Sequence, residues 1–150
     1  MSLYQRILVP VDGSESSHRA LTAALDIAQA GGGRIRVLHD IDEIAPLSPY
    51  SHPSATIKEV RAKANEMADG AVATCEAAGV SADRRVVEAP GRRLGDVVAD
   101  EVKAWEADLV VIGTHGRHGL QRLLLGSGAE QVLRLAPVPV LVVRDATPSP

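Results

Sequence analysis

The chain has 150 residues, with 16 Lys and Arg against 19 Asp and Glu, and a formal net charge of −3. A chain of this length corresponds to one domain, and its acidic balance lacks the basic excess of proteins that bind DNA or anionic membranes. Only 2% of its residues are aromatic, which removes the usual stacking platform for single-stranded nucleic acid. We therefore predict a single domain over residues 1–150 that binds no nucleic acid and does not insert into a membrane.

The cysteine content and the N-terminal sequence bear on the compartment. The only cysteine, Cys75, excludes an internal disulfide and a cysteine-based metal cluster. The N-terminal segment has no apolar run of signal-peptide length, and no run approaches the roughly 18 apolar residues of a membrane-spanning helix. The expected location is the cytoplasm.

The first half of the chain alternates strand-like and helix-like patterns. Ile7–Val11 and Ile35–Leu38 are short, β-branched and almost continuously apolar, which is typical of strands covered on both faces. Between them, apolar residues at helical spacing over 21–28 predict a helix that ends at three consecutive glycines. A second apolar stripe predicts a long helix from Ile57 to Gly79. The proline- and serine-rich segment Ala45–Ala55 before it is either a plain surface connection or a lid.

The second half continues the alternation. Arg84–Val87 is a weaker and more polar strand candidate, which suits a position near a sheet edge, and Leu94–Trp105 shows a helical stripe. Leu109–Ile112 is an apolar strand candidate. A helix follows, with Ser127 as its predicted N-cap and a proline setting its end. The last strand candidate is Val138–Val143.

This element order predicts the fold class. Strands and helices that alternate βαβαβαβαβ give a parallel sheet joined by right-handed helical crossovers. The result is a three-layer, doubly wound, Rossmann-like α/β domain. Ligands of such domains bind outside the carboxyl ends of the strands, at the point where the strand order reverses.

A glycine-rich passage follows the strand candidate Leu109–Ile112. Gly113, Gly116 and the pair Gly126-Ser127 have G-x2-G-x9-G-S spacing. Glycines allow backbone N–H groups to approach a polyphosphate, and a helix that starts at Gly126-Ser127 offers its positive N-terminal end to a phosphate. The alternative is that these glycines only end a strand and start a helix. The spacing, the serine and the position after a central strand favour the phosphate site.

Three side chains within this passage add local positive charge. Arg117 is always charged, and His115 and His118 contribute when protonated. The two histidines are alternatively plain solvated loop residues, and no neighbouring carboxylate or cysteine suggests that they bind a metal. The passage is not a P-loop, because it contains no lysine and no G-x4-G-K-[ST] sequence.

Asp12 follows the first strand candidate at the expected ligand end. Its carboxylate can accept a hydrogen bond from a ribose hydroxyl or from an adenine amino group. The alternative role is N-terminal capping of the next helix, for which Ser14 and Ser17 are also candidates. The turn itself lacks the G-x-G-x-x-G fingerprint of dinucleotide-binding domains.

Taken together, these motifs resemble those of the universal stress protein family, specifically its ATP-binding branch. The similarity extends over nearly the full length, through the segments Ile7–Glu15, Val37–Asp42, Asp108–Arg134 and Pro139–Arg144, and includes the G-x2-G-x9-G-[ST] marker of that branch. The resemblance implies a five-stranded parallel sheet of order 3-2-1-4-5. It also implies a homodimer that pairs through the last strand, Val138–Val143.

The resemblance further assigns residues to a nucleotide. The adenine side corresponds to Pro10, Val11, Asp12 and Asp40. The ribose and phosphate side corresponds to Ile112, Gly113, His115, Gly116, Gly126, Ser127, Gly128 and Ala129, with Arg117 contributing charge. The chain departs from the family pattern at Asp40, where a valine is usual, and at Gly128, where a bulkier residue is usual. The expected cofactor is ATP, with or without Mg²⁺, and no catalytic or metal-ligating residue is assigned.

Three functions are compatible with this sequence. The first is a nucleotide-responsive regulatory or stress-survival protein, in which ATP changes dimer geometry or partner contacts. The second is a slow ATPase or a nucleotidyl or phosphoryl transferase, for which Asp12 with His115 is the only pair placed to orient Mg²⁺ and water. The third is a dimeric interaction module that binds no nucleotide, which the carboxylate of Asp40 would favour.

Overall fold

Parallel strands alternate with helices along the parts of the chain that the computed structural model describes, residues 3–41, 56–114 and 125–144. The strands are β1 (Arg6–Pro10), β2 (Arg34–Asp40), β3 (Ala82–Val87), β4 (Leu109–Gly113) and β5 (Val140–Val143). The helices are α1 (Glu15–Gly31), α2 (Ile57–Ala77), α3 (Leu94–Trp105) and α4 (Ser127–Leu135). In these ranges, none of the helices combines the length and the apolar character that a membrane crossing needs.

The strands form one parallel sheet in the order β3-β2-β1-β4-β5. This order confirms the predicted doubly wound α/β class and places the polar strand β3 at an edge, as its sequence suggests. The chain runs outward from β1 to β3 and then crosses to β4 on the other side of β1. The order therefore reverses between β1 and β4, which is where such sheets bind ligands.

Two aliphatic cores cover the two faces of the sheet. On one face, α1 and α2 pack against a core that includes Ile7, Val9 and Val37. On the other face, α3 and α4 pack against a core that includes Leu8 and Leu38. Because side chains alternate along a strand, the last residues of β1 and β2 lie on this second face, together with Ile112 of β4.

The predictions for the exposure of Ile57 and for the start of the last strand were wrong. Ile57 was expected on the buried face of its helix but is 51% exposed, because the first turns of α2 extend beyond its packed part, whose buried residues begin at Ala64. The last strand was expected to begin at Val138, but β5 begins at Val140. Proline lacks the N–H that a strand ladder needs, so regular pairing starts after Pro139, whose carbonyl accepts a hydrogen bond from the N–H of Val110.

A cluster of charged groups around the single tryptophan joins β2, β3 and α3. Arg36 binds Asp83 through two hydrogen bonds of 2.8 Å and Glu101 through one of 2.9 Å. Its guanidinium carbon also lies 4.8 Å from the ring centroid of Trp105. The hydrogen bond to Asp83, supported by that to Glu101, raises the pKa of Arg36 above its ordinary value. The guanidinium group of Arg36 therefore stays charged at every pH at which the folded protein is studied.

Cys75 is fully buried in the core between α1, α2 and the sheet. Burial raises the pKa of its thiol from 9.0 to about 11. The unfolded thiol ionises first, so the free energy of unfolding that Cys75 contributes is complete below pH 9.0 and is lost as the pH rises towards 11. Two pKa units correspond to a loss of about 2.7 kcal/mol.

We therefore expect wild type to lose most of this stability relative to Cys75→Ala between pH 9 and pH 11. Urea unfolding of both proteins under reducing conditions measures the difference, and the comparison at matched pH cancels the other titrating groups. Parallel pH profiles for the two proteins would contradict the assigned pKa.

Candidate functional site

The sequence-predicted residues of the described ranges converge on the carboxyl ends of β1, β2 and β4. Beyond its last residue, β1 stays joined to β2, because the N–H of Val11 donates to the carbonyl of Leu38 at 2.8 Å. On its other side, β1 pairs with β4 through Ile7 and Leu8. The carboxyl ends of the three central strands therefore lie side by side at one end of the sheet.

The turn between β1 and α1 is held by its own side chains. Ser14 is the N-cap of α1, and its Oγ accepts from the N–H of Ser17 at 3.1 Å. Asp12 is 5% exposed, and its Oδ1 accepts from the N–H of Ser14 at 2.9 Å. The N–H of Asp12 in turn donates to the Oγ of Ser17 at 3.3 Å. Ser14 therefore caps α1, whereas Asp12 stabilises the turn after β1, next to the point where the strand order reverses.

Sequence reasoning missed a contribution from His39. Its side chain is fully buried, and its Nδ1 lies 2.8 Å from the carbonyl oxygen of Val11. A carbonyl only accepts hydrogen bonds, so Nδ1 carries the proton in this contact. Together with the bond from Val11 N–H to Leu38, it fixes both backbone groups of Val11. The signal in the sequence was a histidine between the apolar pair Val37-Leu38 and Asp40, at the end of a strand candidate.

Gly113 has a packing role that the glycine motif alone does not reveal. A Cβ on Gly113 would lie 2.2 Å from the Oγ of Ser16 and 2.6 Å from its backbone oxygen. The first turn of α1 therefore rests against the end of β4. Glycine at this position brings the β1–α1 turn and the end of β4 into contact.

Asp40 is the last residue of β2 and is 3% exposed. It pairs in register with Val87 of β3. By strand alternation its side chain lies on the sheet face covered by α3 and α4, the face that also carries Ile112. A buried acidic side chain therefore lies at the carboxyl end of β2, at the position where the resemblance to the family implies a valine.

Helix α4 begins at the same end of the sheet, next to the carboxyl end of β4. Its N-cap is Gly126, not Ser127 as the sequence suggested, and Ser127 is its first helical residue. The N–H of Gly126 donates to the carbonyl of Thr114 at 2.7 Å, which holds the start of α4 beside the end of β4. Among the described residues no side chain caps the helix. Ser127 is exposed, Gly128 is half-buried and Ala129 is buried.

This geometry is suited to an anion. Backbone N–H groups in the first turn of an α-helix lack partners within the helix, and the helix dipole favours negative charge there. With glycine as the N-cap, no cap side chain competes for those groups. The candidate site thus has two parts. Near the ends of β1 and β2 it contains the buried side chains of Asp12 and Asp40. Near the end of β4 it contains the electropositive start of α4.

Three predicted site residues, His115, Gly116 and Arg117, lie outside the described residues. The same holds for His118 and for the segment Ala45–Ala55. Across residues 3–41, 56–114 and 125–144, no group of three or more His, Cys, Asp or Glu side chains is placed to hold a metal ion.

A doubly wound α/β domain with a turn, a strand end and a glycine-capped helix gathered at its switch point is a scaffold typical of nucleotide-binding proteins. Comparison with known proteins identifies the family. The family model described as "Universal stress protein family" matches residues 3–144. This chain belongs to the universal stress protein family.

Individual relatives agree with this assignment. The universal stress protein MJ0531 of Methanocaldococcus jannaschii is 33% identical over 146 residues, which cover 95% of this chain and 84% of that protein. The structure of UspA from Lactobacillus plantarum has a TM-score of 0.77 at 27% identity and covers 94% of this chain and 98% of that one. A universal stress protein solved in complex with cAMP has a TM-score of 0.62 at 28% identity and covers 94% and 97%.

Proposed function

We propose that this chain is an ATP-binding universal stress protein that acts as a nucleotide-responsive regulatory or stress-survival protein in the cytoplasm. Adenine is held at the ends of β1 and β2 by Pro10, Val11, Asp12 and Asp40. The ribose and phosphates are held by Ile112, Gly113, His115, Gly116, Arg117, Gly126, Ser127, Gly128 and Ala129. The observation that carries the proposal is the glycine-capped start of α4, held beside the end of β4 at the switch point.

Two further observations support an adenine nucleotide. The glycine motif of the sequence includes Gly113 at the end of β4 and Gly126 at the start of α4, which both lie at this end of the sheet. A relative of 28% identity has been solved in complex with cAMP. A triphosphate best matches a long glycine-rich sequence followed by a helix start, because glycines allow backbone N–H groups to approach phosphates and a helix start offers further N–H groups.

The test is the effect of ATP on the melting temperature of wild type and of Gly126→Val. At a concentration about 100 times the dissociation constant, ATP adds about 2.7 kcal/mol to the free energy of unfolding. For a chain of this size that corresponds to a rise of roughly 5–11 °C. The backbone of Gly126, at φ −63° and ψ 158°, is accessible to any residue. Valine there preserves the fold but covers the approach to the first-turn N–H groups, so the rise is lost.

The control is Gly70→Val on α2, because a Cβ at Gly70 has no heavy atom within 4 Å. This variant keeps the rise with ATP. No rise in wild type at millimolar ATP would contradict the proposal and favour an interaction module without nucleotide. Release of ADP at a rate that falls in Asp12→Ala would assign the chain to the enzymatic alternative instead.

We further propose that two copies associate through β5. It is an edge strand of the sheet, and its Leu141 is 39% exposed. Leu133 and Leu135 of the neighbouring helix α4 are also exposed. An exposed apolar edge strand is an aggregation hazard that pairing with a second copy removes. Sedimentation velocity is expected to show the mass of two chains, and a monomer at high micromolar concentration would exclude this pairing.

A further inference from the structure

An arginine-lined cleft lies at the opposite edge of the sheet from β5. Its volume is about 300 Å³, and it is formed between the N-terminal half of α2, the strand β3 and the residues just after it. Its polar lining consists of Arg61, Arg84, Arg85, Asn65 and Glu88. Cavities from roughly 300 Å³ upwards hold small-molecule ligands in proteins.

The charged side chains that line this cleft are mostly basic, although the chain as a whole is acidic. Three guanidinium groups line it against the single carboxylate of Glu88, whereas the whole chain carries a net charge of −3. All three arginines form ion pairs. In the pairs of Arg61 with Glu88 and of Arg84 with Asp69, both side chains are at least 35% exposed, whereas Arg85 pairs with Glu101, which is only 10% exposed. Exposed ion pairs contribute at most about 1 kcal/mol each to stability. Stability alone therefore gives little reason for Arg61 and Arg84, whereas Arg85 also lies close to the nearly buried carboxylate of Glu101.

The guanidinium groups are oriented by their present partners. The Nε of Arg61 donates to Glu88 at 2.8 Å. The Nε of Arg84 donates to Asp69, and its Nη1 donates to the side-chain oxygen of Asn65 at 2.8 Å. Within the described part of the chain, these contacts leave both Nη groups of Arg61 and the Nη2 of Arg84 available as donors. Arginines that are held at one edge lose less conformational freedom when the other edge binds a ligand.

We propose that this cleft is an anion site that takes a multiply charged phosphate group, with pyrophosphate as its simplest form. The guanidinium fork matches the geometry of phosphate oxygens, and two or three such forks suit more than one charge. The cleft shares no residue with the nucleotide site proposed above, although its Ile41 directly follows Asp40 of the adenine side. The arginines of the cleft on β3 are far from the phosphate side, because β3 lies three strand spacings, or roughly 14 Å at about 4.8 Å each, from β4.

Isothermal titration with inorganic pyrophosphate at physiological salt tests the proposal. Wild type is expected to show saturable binding, which Arg61→Gln and Arg84→Gln each weaken by at least about tenfold through the loss of one charge-assisted pair. The matched control is Arg92→Gln. Arg92 is also exposed and is paired to Asp100 at 2.6 Å, but it does not line the cleft. This variant removes the same charge and is expected to bind as wild type does.

Gly126→Val separates this site from the nucleotide site. Binding that persists in Gly126→Val but is weakened in the Arg61 and Arg84 variants supports the cleft, whether or not ATP binds elsewhere. The proposal is overturned if wild type shows no saturable binding. It is equally overturned if Gly126→Val abolishes binding, or if Arg92→Gln weakens it as much as the cleft variants do.

Discussion

Replacing Gly113 by alanine is expected to lower the free energy of unfolding by about 3 kcal/mol, at the upper end of the usual range for overpacking. The added methyl group would lie 2.2 Å from the Oγ of Ser16, which can rotate away. It would also lie 2.6 Å from the backbone oxygen and 2.8 Å from the backbone carbon of Ser16, which cannot. The first turn of α1 must then move away from β4. That movement separates the two parts of the proposed nucleotide site.

Urea unfolding of Gly113→Ala measures this loss, with Gly70→Ala as the matched control. Gly70 lies in α2 and a Cβ there has no heavy atom within 4 Å. Alanine is therefore expected to stabilise that helix by about 0.5–1 kcal/mol. If Gly113 served only to admit a phosphate, Gly113→Ala would unfold as wild type does, and the packing role would be wrong.

Removing the guanidinium of Arg36 is expected to cost about 2–3 kcal/mol, somewhat less than a fully buried pair because the Arg36 side chain is 22% exposed. Methionine is the suitable replacement because its straight chain still covers Trp105. The loss arises at Glu101, whose side chain is only 10% exposed. Without Arg36, the nearest remaining cation to Glu101 among the described ion pairs is Arg85 at 3.6 Å.

A double variant distinguishes this cause from a simple loss of packing. In Arg36→Met with Glu101→Leu no carboxylate is left in the buried position, so we expect recovery of at least half of the loss. Arg92→Gln removes an exposed pair and is expected to stay within about 0.5 kcal/mol of wild type. Additive losses in the double variant, measured by urea unfolding, would contradict the explanation.

The sheet could be predicted because each strand carries its own local signal. Runs such as Leu109–Ile112 are apolar on both faces, and glycines and prolines separate them from the helical stripes. The polar strand β3 was placed at an edge for a sound reason, since only an edge strand tolerates Asp83, Arg84 and Arg85 in succession. The strand order itself came from the resemblance to the family, and the structure confirms it.

The details of the site depended on contacts between distant segments. The N-cap of α4 is Gly126 rather than the predicted Ser127. The N–H of Gly126 donates to the carbonyl of Thr114, which directly follows β4, and this contact fixes where the helix begins. Likewise, the close approach of Ser16 to Gly113 joins residues 97 positions apart. The ion pairs of Arg36 with Asp83 and Glu101 join three separate elements. Local sequence patterns carry no information on such contacts.

An adenine nucleotide is expected to bind at the carboxyl ends of β1, β2 and β4 and at the start of α4. An ATP titration followed through the backbone amide resonances of the ¹⁵N-labelled protein tests the location directly. The predicted result is saturable shifts that are largest at Asp12, Asp40, Gly113 and Ser127, with the amide of Arg84 on β3 unaffected at low ATP. Saturating shifts confined to another surface, or no shifts at millimolar ATP, would contradict it.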